Sequence, residues 1–523
     1  MLAHVRSATL VGVVAVPVRV EVHVAQGLPS LTLVGLPTAA VREARERVRA
    51  ALHSSGFRLP RARVLVHLAP ADLRKDGSGL DLPIALAILA ADGRIPRDAA
   101  AAGCAFGELA LDGTVRPAAG AFAVALADHD DEAVRWLLAA DDAAAVHATT
   151  VSAATGTTAV PVADLAQAVR IVRGVESPTP PSPAHPVPPR DGCERYDLRD
   201  VRGQALARWT LELAAAGGHG LLMTGPPGAG KSMLARRLPG LLPDLSRRNA
   251  IEVARIRSAA GDGPIHGLPR RPPFRAPHAR ITPIGLLGGG RVPRPGEVTR
   301  AHRGVLFLDE LPEFARDALE GLRQPLQEGF VQVDRHGAQA RFPAQVHLLA
   351  ARNPCPCGWF GSEPPRCRCH PDARRRYRSR VSGPVLDRID LHLSVAPVPP
   401  EALAGPQAGE ATATVAARVR ALRDLATSRQ GRSNAAMHRA DLERFVFDSP
   451  GVRACLAAAA RHDRAALTAR GVERAARVAR TIADLEGRDA VAPDDVDAAI
   501  EATRPEPTTP GASGDAAPPG VSA

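Results

Sequence analysis

Residues Gly225, Pro226, Pro227, Gly228, Ala229, Gly230, Lys231 and Ser232 are contiguous and have the spacing G-x-x-x-x-G-K-[ST]. They follow a short apolar run at 221–223 that reads as a buried strand. Glycines let backbone N–H groups approach phosphate oxygens, and a helix starting at the lysine adds its N-terminal dipole. In that arrangement Lys231 reaches the β- and γ-phosphates of ATP and Ser232 holds Mg2+. Downstream, Gly304 is followed by Val305, Leu306, Phe307 and Leu308, and then by the two carboxylates of Asp309 and Glu310. Asp309 is placed to support the metal and Glu310 to polarise an attacking water. A glycine turn or an ordinary buried strand would account for either motif alone, but not for both in this order. Together they predict binding and hydrolysis of a nucleoside triphosphate.

Three further polar residues fall where such a site needs them. The run VHLLAARNPCPCG at 346–358 reads as another core strand ending in Asn353. An amide at a strand tip beside the nucleotide suits a sensor of the γ-phosphate or of the water. In SGPVLDRIDLHL at 382–393, Arg388 lies among apolar residues. It can cap a helix, pair with Asp387 or Asp390, or reach the nucleotide of a neighbouring subunit as an arginine finger. The stretch LTARGVERAARVARTIADL at 467–485 has helical apolar spacing. It predicts a lid helix with Arg470 near phosphate.

Four of the seven cysteines are clustered: Cys355 and Cys357, then, nine residues on, Cys367 and Cys369. The intervening Gly358, Gly361, Pro364 and Pro365 predict a turn-rich hairpin. Four thiolates there suit tetrahedral Zn2+, although C-x-C is tighter than the usual C-x2-C, and His370 offers an alternative ligand. An exposed loop of unligated thiols is the other reading.

These elements must sit in a chain of 523 residues, enough for about three domains. Aromatic residues are 3% against 45% hydrophobic, so the cores must be built from Ala, Val and Leu. The net charge of +11 permits a polyanionic partner without establishing one. The cysteines show no even disulfide spacing, so a reduced, cytoplasmic protein is expected. The apolar segment 10–18 suggests a signal peptide, but VRVEVHV at 18–24 alternates with period two and reads as a strand. No apolar stretch reaches 18 residues, so no membrane span is expected. The proline-rich segment 174–192 reads as a semi-rigid linker, and 505–523 as a polar tail unable to bury a core. The expected organisation is therefore a domain over 1–173, the linker, an ATPase core over 193–398, a helical lid over 399–504, and the tail.

Basic and glycine-rich stretches suggest where a polymer would go. Residues 366–380 carry seven arginines and one aspartate. Arg275, His278 and Arg280 precede the glycine segment ITPIGLLGGG, and VQVDRHGAQARF at 331–342 reads as a hairpin with its tip at 335–337. Arg280 and Arg335 are the candidates for phosphate contacts made without base reading. Solvated loops are the plain alternative.

The strings DLRDVRGQ, GPPGAGKS, PFRAPHARITPIGLLGGGRVPRPGEVTRAHRGVLFLDELPEF, NPCPCG, YRSRVSGPVLDRIDLH and ARVARTIADL resemble the ComM/YifB family. This is a magnesium-chelatase-like branch of the AAA+ ATPases, and the resemblance spans nearly the whole chain. It implies an α/β P-loop ATPase with a helical lid, working as a homo-hexamer. By motif, Asn353 becomes sensor 1, Arg388 the arginine finger and Arg470 sensor 2, with Arg474 and Arg477 one and two turns away. It also implies that the hairpin and glycine insertions project into the ring pore. The N-terminal strings LAPADLRKDGSGLDLPIALAILA and GELALDGTVRPAAGAFAVAL resemble the α+β Lon-protease catalytic fold. There Gly79 stands where the family has its serine and Phe122 where it has its lysine, and Ser78 is one residue early. The dyad needs an amine beside the hydroxyl, so a retained fold without peptidase chemistry is expected. Two functions follow from the resemblance. One is a DNA motor for branch migration of recombination intermediates in natural transformation, acting on single-stranded or branched DNA without sequence preference and beside a recombinase. The other is a chelatase-type ATPase subunit that remodels a protein partner.

Overall fold

In the computed structural model all residues are described except 127–133, 151–156, 182–195, 264, 266, 291, 336–337, 363–364, 400, 402–408, 463–467 and 505–523. Most of the expected linker and the whole expected tail therefore lie outside the described residues.

Alternation of small apolar and polar residues builds the first sheet. Leu2–Val11 and Val14–Ala25 pair antiparallel around a two-residue turn, with Val18, Val20 and Val22 turned into the core. The segment that resembled a signal peptide is thus the turn and flanks of a hairpin. Arg63–Ala69 and Ser30–Val34 extend the sheet on one side, and Cys104–Ala105, Arg135–Ala139 and Thr158–Val162 on the other, giving seven strands. The helix Asp81–Ala91 is buried along its whole length, so its side chains are apolar all round rather than on one stripe. Its one carboxylate, Asp81, is neutralised by the Arg47 fork at 2.7 and 3.0 Å.

The second sheet has five strands in the order Phe274–Arg275, Val305–Leu308, His347–Arg352, Leu221–Thr224 and Leu391–Ser394, all parallel. Leu221–Thr224 and Val305–Leu308 are buried at every position, as a sheet covered on both faces requires. Two antiparallel hairpins stand off this sheet: Gly288–Gly289 with Arg294–Pro295, and Phe330–Arg335 with Ala338–Pro343.

A helical unit follows, containing Thr412–Gln430, Arg439–Phe445, Pro450–His462, Ala469–Leu485 and Pro493–Thr503. Thr468 caps Ala469–Leu485 by accepting from the Gly471 N–H at 3.2 Å. Val478, Ala479 and Ile482 of this helix join Leu213, Ala216 and Leu221 in one core, so the lid packs on the helix Ala205–Gly217 that leads into the sheet. Buried polar groups fix the register of that contact. His219 Nε2 lies 2.8 Å from Thr481 Oγ1 and its Nδ1 3.3 Å from Asp390 Oδ2. Asp484, itself buried, accepts from both Arg429 amino groups at 2.7 and 2.9 Å, from Asn434 at 2.8 Å and from Arg480 at 3.1 Å.

Asp484→Ala leaves the fully buried Arg480 guanidinium without its counter-charge. Stranding one partner of such a pair costs about 3–5 kcal/mol. The expected outcome is a lower thermal midpoint for the unit containing the lid, read by calorimetry, while Asp484→Asn should lose less because the Asn434 and Arg480 donors keep one acceptor.

Candidate functional site

The phosphate loop joins the carboxyl end of Leu221–Thr224 to the helix Lys231–Ala235. Gly228 and Gly230 take φ of +79° and +91°, the left-handed region that a side chain disfavours. Gly225 meets a different demand: a Cβ there would lie 2.3 Å from the Val395 carbonyl oxygen. Lys231 is buried, and its ammonium donates to Gly225 O at 2.6 Å, Pro226 O at 3.0 Å and Asn353 Oδ1 at 3.1 Å. Burial lowers its pKa, against which the Asp309 and Glu310 carboxylates pull upward. Ser232 Oγ donates to Asp309 Oδ2 at 2.7 Å, so the two expected Mg2+ ligands are adjacent. Their oxygens are the hard donors that Mg2+ takes beside substrate phosphates.

Glu310 leaves the strand in a left-handed conformation, φ +52°, rare for a residue with a side chain. Its N–H is tied to Asp309 Oδ1 at 2.9 Å, and its carboxylate is exposed beside Asp309. The two carboxylates are thus presented differently, Glu310 to solvent and Asp309 towards Ser232 and the Glu310 N–H. Lys231, Ser232, Asp309, Glu310 and Asn353 therefore converge at the carboxyl end of one sheet.

Two residues that sequence reading passed over belong to the same site. Gln204 bridges the Ala229 and Ala396 carbonyls at 2.9 and 3.0 Å, tying the phosphate loop to the end of the last strand. Tyr377 is buried with its hydroxyl pushed to about 12 by burial and by the Glu313 carboxylate, while the Asn353 N–H works in the opposite direction. The one visible signal for Tyr377 was an aromatic residue within an arginine run.

Arg388 lies elsewhere. Gly220, at the amino end of the phosphate-loop strand, has the Arg388 carbonyl as a near neighbour, and Leu221 pairs with Leu391. Across a strand of four residues rising about 3.3 Å each, Arg388 is at the far side of the sheet from its own phosphate loop. Its guanidinium donates to Pro384 O at 2.6 Å and Gln327 Oε1 at 2.7 Å. Burial and the nearby Arg323 and Arg470 cations lower its pKa.

Arg470 was expected near phosphate; within its own chain it is not. It lines, with Arg388, Arg474 and Arg477, a cavity of about 870 Å³ at the amino ends of the strands. The reason is the docking of its helix at His219 and Thr481, on that side of the sheet. Arg477 is engaged by Met437 O at 3.0 Å and Glu473 at 3.2 Å, whereas Arg474 is buried with its Nε unpartnered.

The cysteine hairpin fits the metal test. Cys355 Sγ is 3.3 Å from Cys357 Sγ and 3.7 Å from Cys367 Sγ, and the Cys357–Cys367 separation is 3.7 Å. With Cys369 the four sulfurs lie within 4.8 Å of one another. A tetrahedron with Zn–S of about 2.3 Å has sulfurs about 3.8 Å apart. His370 instead caps the helix Pro371–Arg378, its Nδ1 accepting from Asp372 N at 3.3 Å. The hairpin abuts the phosphate loop, since a Cβ on Gly358 would lie 2.5 Å from the Pro227 ring.

Of the basic candidates, Arg280 is exposed on the loop before Pro283–Leu287. Arg335 ends its strand opposite Ala338, beside a tip outside the described residues. Arg275 is spent on Glu297 at 2.6 and 2.7 Å. Within 366–380, Arg380 pairs with Glu313 at 2.9 Å and Arg374 covers the Phe360 ring at 4.1 Å. In the N-terminal domain a Cβ on Gly79 would fall 2.1 Å from the Phe106 ring, and Phe122 is fully buried. An aromatic ring fills the space that any side chain at residue 79 would need.

Glu310→Gln should bind ATP and turn over roughly 100-fold slower or worse, the range for losing a positioned base. Lys231→Ala should weaken ATP binding itself by about 10–100-fold, since a charge-assisted hydrogen bond contributes about 1.5–3 kcal/mol. Equilibrium nucleotide binding beside steady-state phosphate release separates the two. Elemental analysis of protein prepared without chelator should find about one zinc per chain, lost when Cys355 and Cys367 are both replaced by serine. Protein free of metal with four freely reactive thiols would exclude the site.

The magnesium chelatase subunit ChlI family model matches residues 197–403, the model of its C-terminal region matches 409–503, and a further ChlI model matches 20–142. YifB of Escherichia coli is 39% identical over 495 residues, 94% of each chain. The competence protein ComM of Haemophilus influenzae is 39% identical over 488 residues, 93% of this chain and 94% of its own. The magnesium-chelatase 67 kDa subunit of Heliobacterium mobile is 26% identical over 202 residues, covering 33% of this chain. No helix among the described residues is long and apolar enough to cross a membrane. A phosphate loop, acidic strand end and sensor amide at one end of a parallel sheet, matched along nearly the whole chain, mean that the protein belongs to the ComM/YifB family of magnesium-chelatase-like AAA+ ATPases.

Proposed function

We propose that the chain is one subunit of a homo-hexameric, ATP-driven DNA motor that promotes branch migration during recombination. The observation that carries this reading is the extent of likeness to a competence protein. It covers 93% of the chain, whereas the 67 kDa magnesium-chelatase subunit matches only a third. The N-terminal domain is read as a Lon-like fold kept for assembly, with no peptidase chemistry. Residues 1–173, 193–398 and 399–504 are read as the three folded units, acting in the cytoplasm.

ATP lies along the phosphate loop, with Lys231 on its β- and γ-phosphates and Ser232 and Asp309 holding Mg2+. Glu310 draws the proton from the attacking water, and Asn353 orients that water. Arg388 supports action between subunits, and the count of six is what membership of the AAA+ branch implies. Separated from its own phosphate loop by the sheet, Arg388 completes a site only on a neighbouring subunit, and Arg470 beside it acts on the same side. Placing these cations against the transferring phosphoryl group neutralises its developing charge. Arg280 and Arg335 reach DNA phosphates in the pore, so binding tracks the backbone rather than the bases. Zn2+ held by Cys355, Cys357, Cys367 and Cys369 would brace the loop that leaves Asn353 and leads towards Arg388.

Arg388→Ala should bind ATP yet lose turnover, and mixing it with Lys231→Ala should restore part of the activity. Such mixtures contain interfaces where an intact loop faces an intact arginine. Forked and four-way DNA should stimulate the wild-type ATPase and be unwound with ATP, with affinity falling steeply as salt rises. An ATPase that ignores DNA and responds to a second protein subunit would instead favour the chelatase-type reading.

A further inference from the structure

Both hairpins that stand off the ATPase sheet rest on the N-terminal domain. The first contact is apolar. Gly12, φ +68°, and Val13 form the turn between the first two strands. A Cβ on Gly12 would lie 3.2 Å from the Phe342 ring and 3.4 Å from the Ala340 Cβ, both in Ala338–Pro343. Phe342 is fully buried, and Val13 packs on the same core as Phe342, Val331 and Leu286.

The second contact is polar and involves the other hairpin. Arg294 reaches Asp76 at 3.5 Å, and Asp76 is itself oriented by the Thr38 hydroxyl at 2.9 Å. Asp76 lies three residues before Gly79, in the loop where the peptidase serine is missing. The two hairpins also touch one another, because a Cβ on Gly289 would be 3.9 Å from Val333.

The domain is anchored at a third place, so the grip is not a loose tether. The Gly120 N–H donates to Ser258 O at 2.9 Å, Arg255 donates to Leu126 O, and Ala254 is buried in the N-terminal core. The helix Arg247–Ala260 that carries these residues is part of the ATPase unit.

A two-stranded hairpin alone in water is marginally stable at best. One that must bear load at its tip needs its base packed against something fixed. We propose that the N-terminal domain is a collar that seats both insertions in the position where they meet DNA, with the turn at Gly12 and Val13 wedged under Phe342 and the loop around Asp76 converted from a catalytic loop into a docking lip. The exposed Asp76–Arg294 pair sets position rather than supplying stability, since such pairs contribute little. The apolar wedge supplies the stability. The part of this inference that concerns DNA rests on the motor reading above; the mechanical part does not.

The test is hydrogen exchange on the full-length protein, beside basal and DNA-stimulated ATPase. Val13→Glu puts a charge against Phe342 at the end of a hairpin, and Val13→Ser is the milder companion if the first fails to fold. The expected result is about tenfold faster exchange across 330–343, equivalent to a contact worth about 1.4 kcal/mol. Stimulation by forked DNA should fall several-fold while basal turnover holds. Asp76→Arg should loosen 288–296, and pairing it with Arg294→Asp should restore protection. Unchanged exchange across 330–343 in both Val13 variants would overturn the collar, as would faster exchange with full DNA stimulation. If the wild-type ATPase ignores DNA, the motor reading fails, and exchange alone still decides whether the collar exists.

Discussion

The polarity of the five-stranded sheet constrains everything else. All its strands run the same way, so every strand's carboxyl end lies on one side and every amino end on the other. The phosphate loop, Asp309, Glu310 and Asn353 each follow a strand and therefore meet. Arg388 precedes a strand, so it cannot join them in the same chain. The chain thus carries the phosphate loop and the acidic strand end on one face of the sheet and Arg388, Arg470, Arg474 and Arg477 on the opposite face.

Two sets of contacts keep the faces in register. On the nucleotide side, the cysteine hairpin presses Gly358 against Pro227, and the following helix returns Tyr377 to Asn353. A metal held by the four thiols would stiffen the segment between the sensor amide and that helix. On the opposite side, His219 lies between Thr481 of the lid and Asp390 next to Arg388. It also immediately precedes the phosphate-loop strand, separated from it by Gly220 alone. The lid and the segment leading into the phosphate-loop strand are thus joined through the buried His219–Thr481 hydrogen bond, which is costly to break in a low-dielectric setting.

In the N-terminal domain the Phe106 ring fills the space that a side chain at residue 79 would need, and Phe122 is part of the core. The domain has a buried central helix and a hairpin turn that reaches the ATPase unit.

Much of the site was legible because it is local. The phosphate loop needs glycines and a lysine at fixed spacing, and Glu310 follows Asp309 in an apolar strand, so backbone geometry alone dictates their meeting. The cysteines were legible for the same reason, although only the folded hairpin turned His370 away to cap a helix. The sequence could not tell that Arg470 lies away from its own phosphate loop, because that depends on which side of the sheet the lid docks. That choice rests on Thr481 and His219, 262 residues apart in sequence. Tyr377, Gln204 and the wedge of Gly12 under Phe342 were silent for the same reason. Short-range spacing determines a motif's chemistry, whereas the partners of a buried side chain are decided by packing between distant segments, which no local pattern encodes.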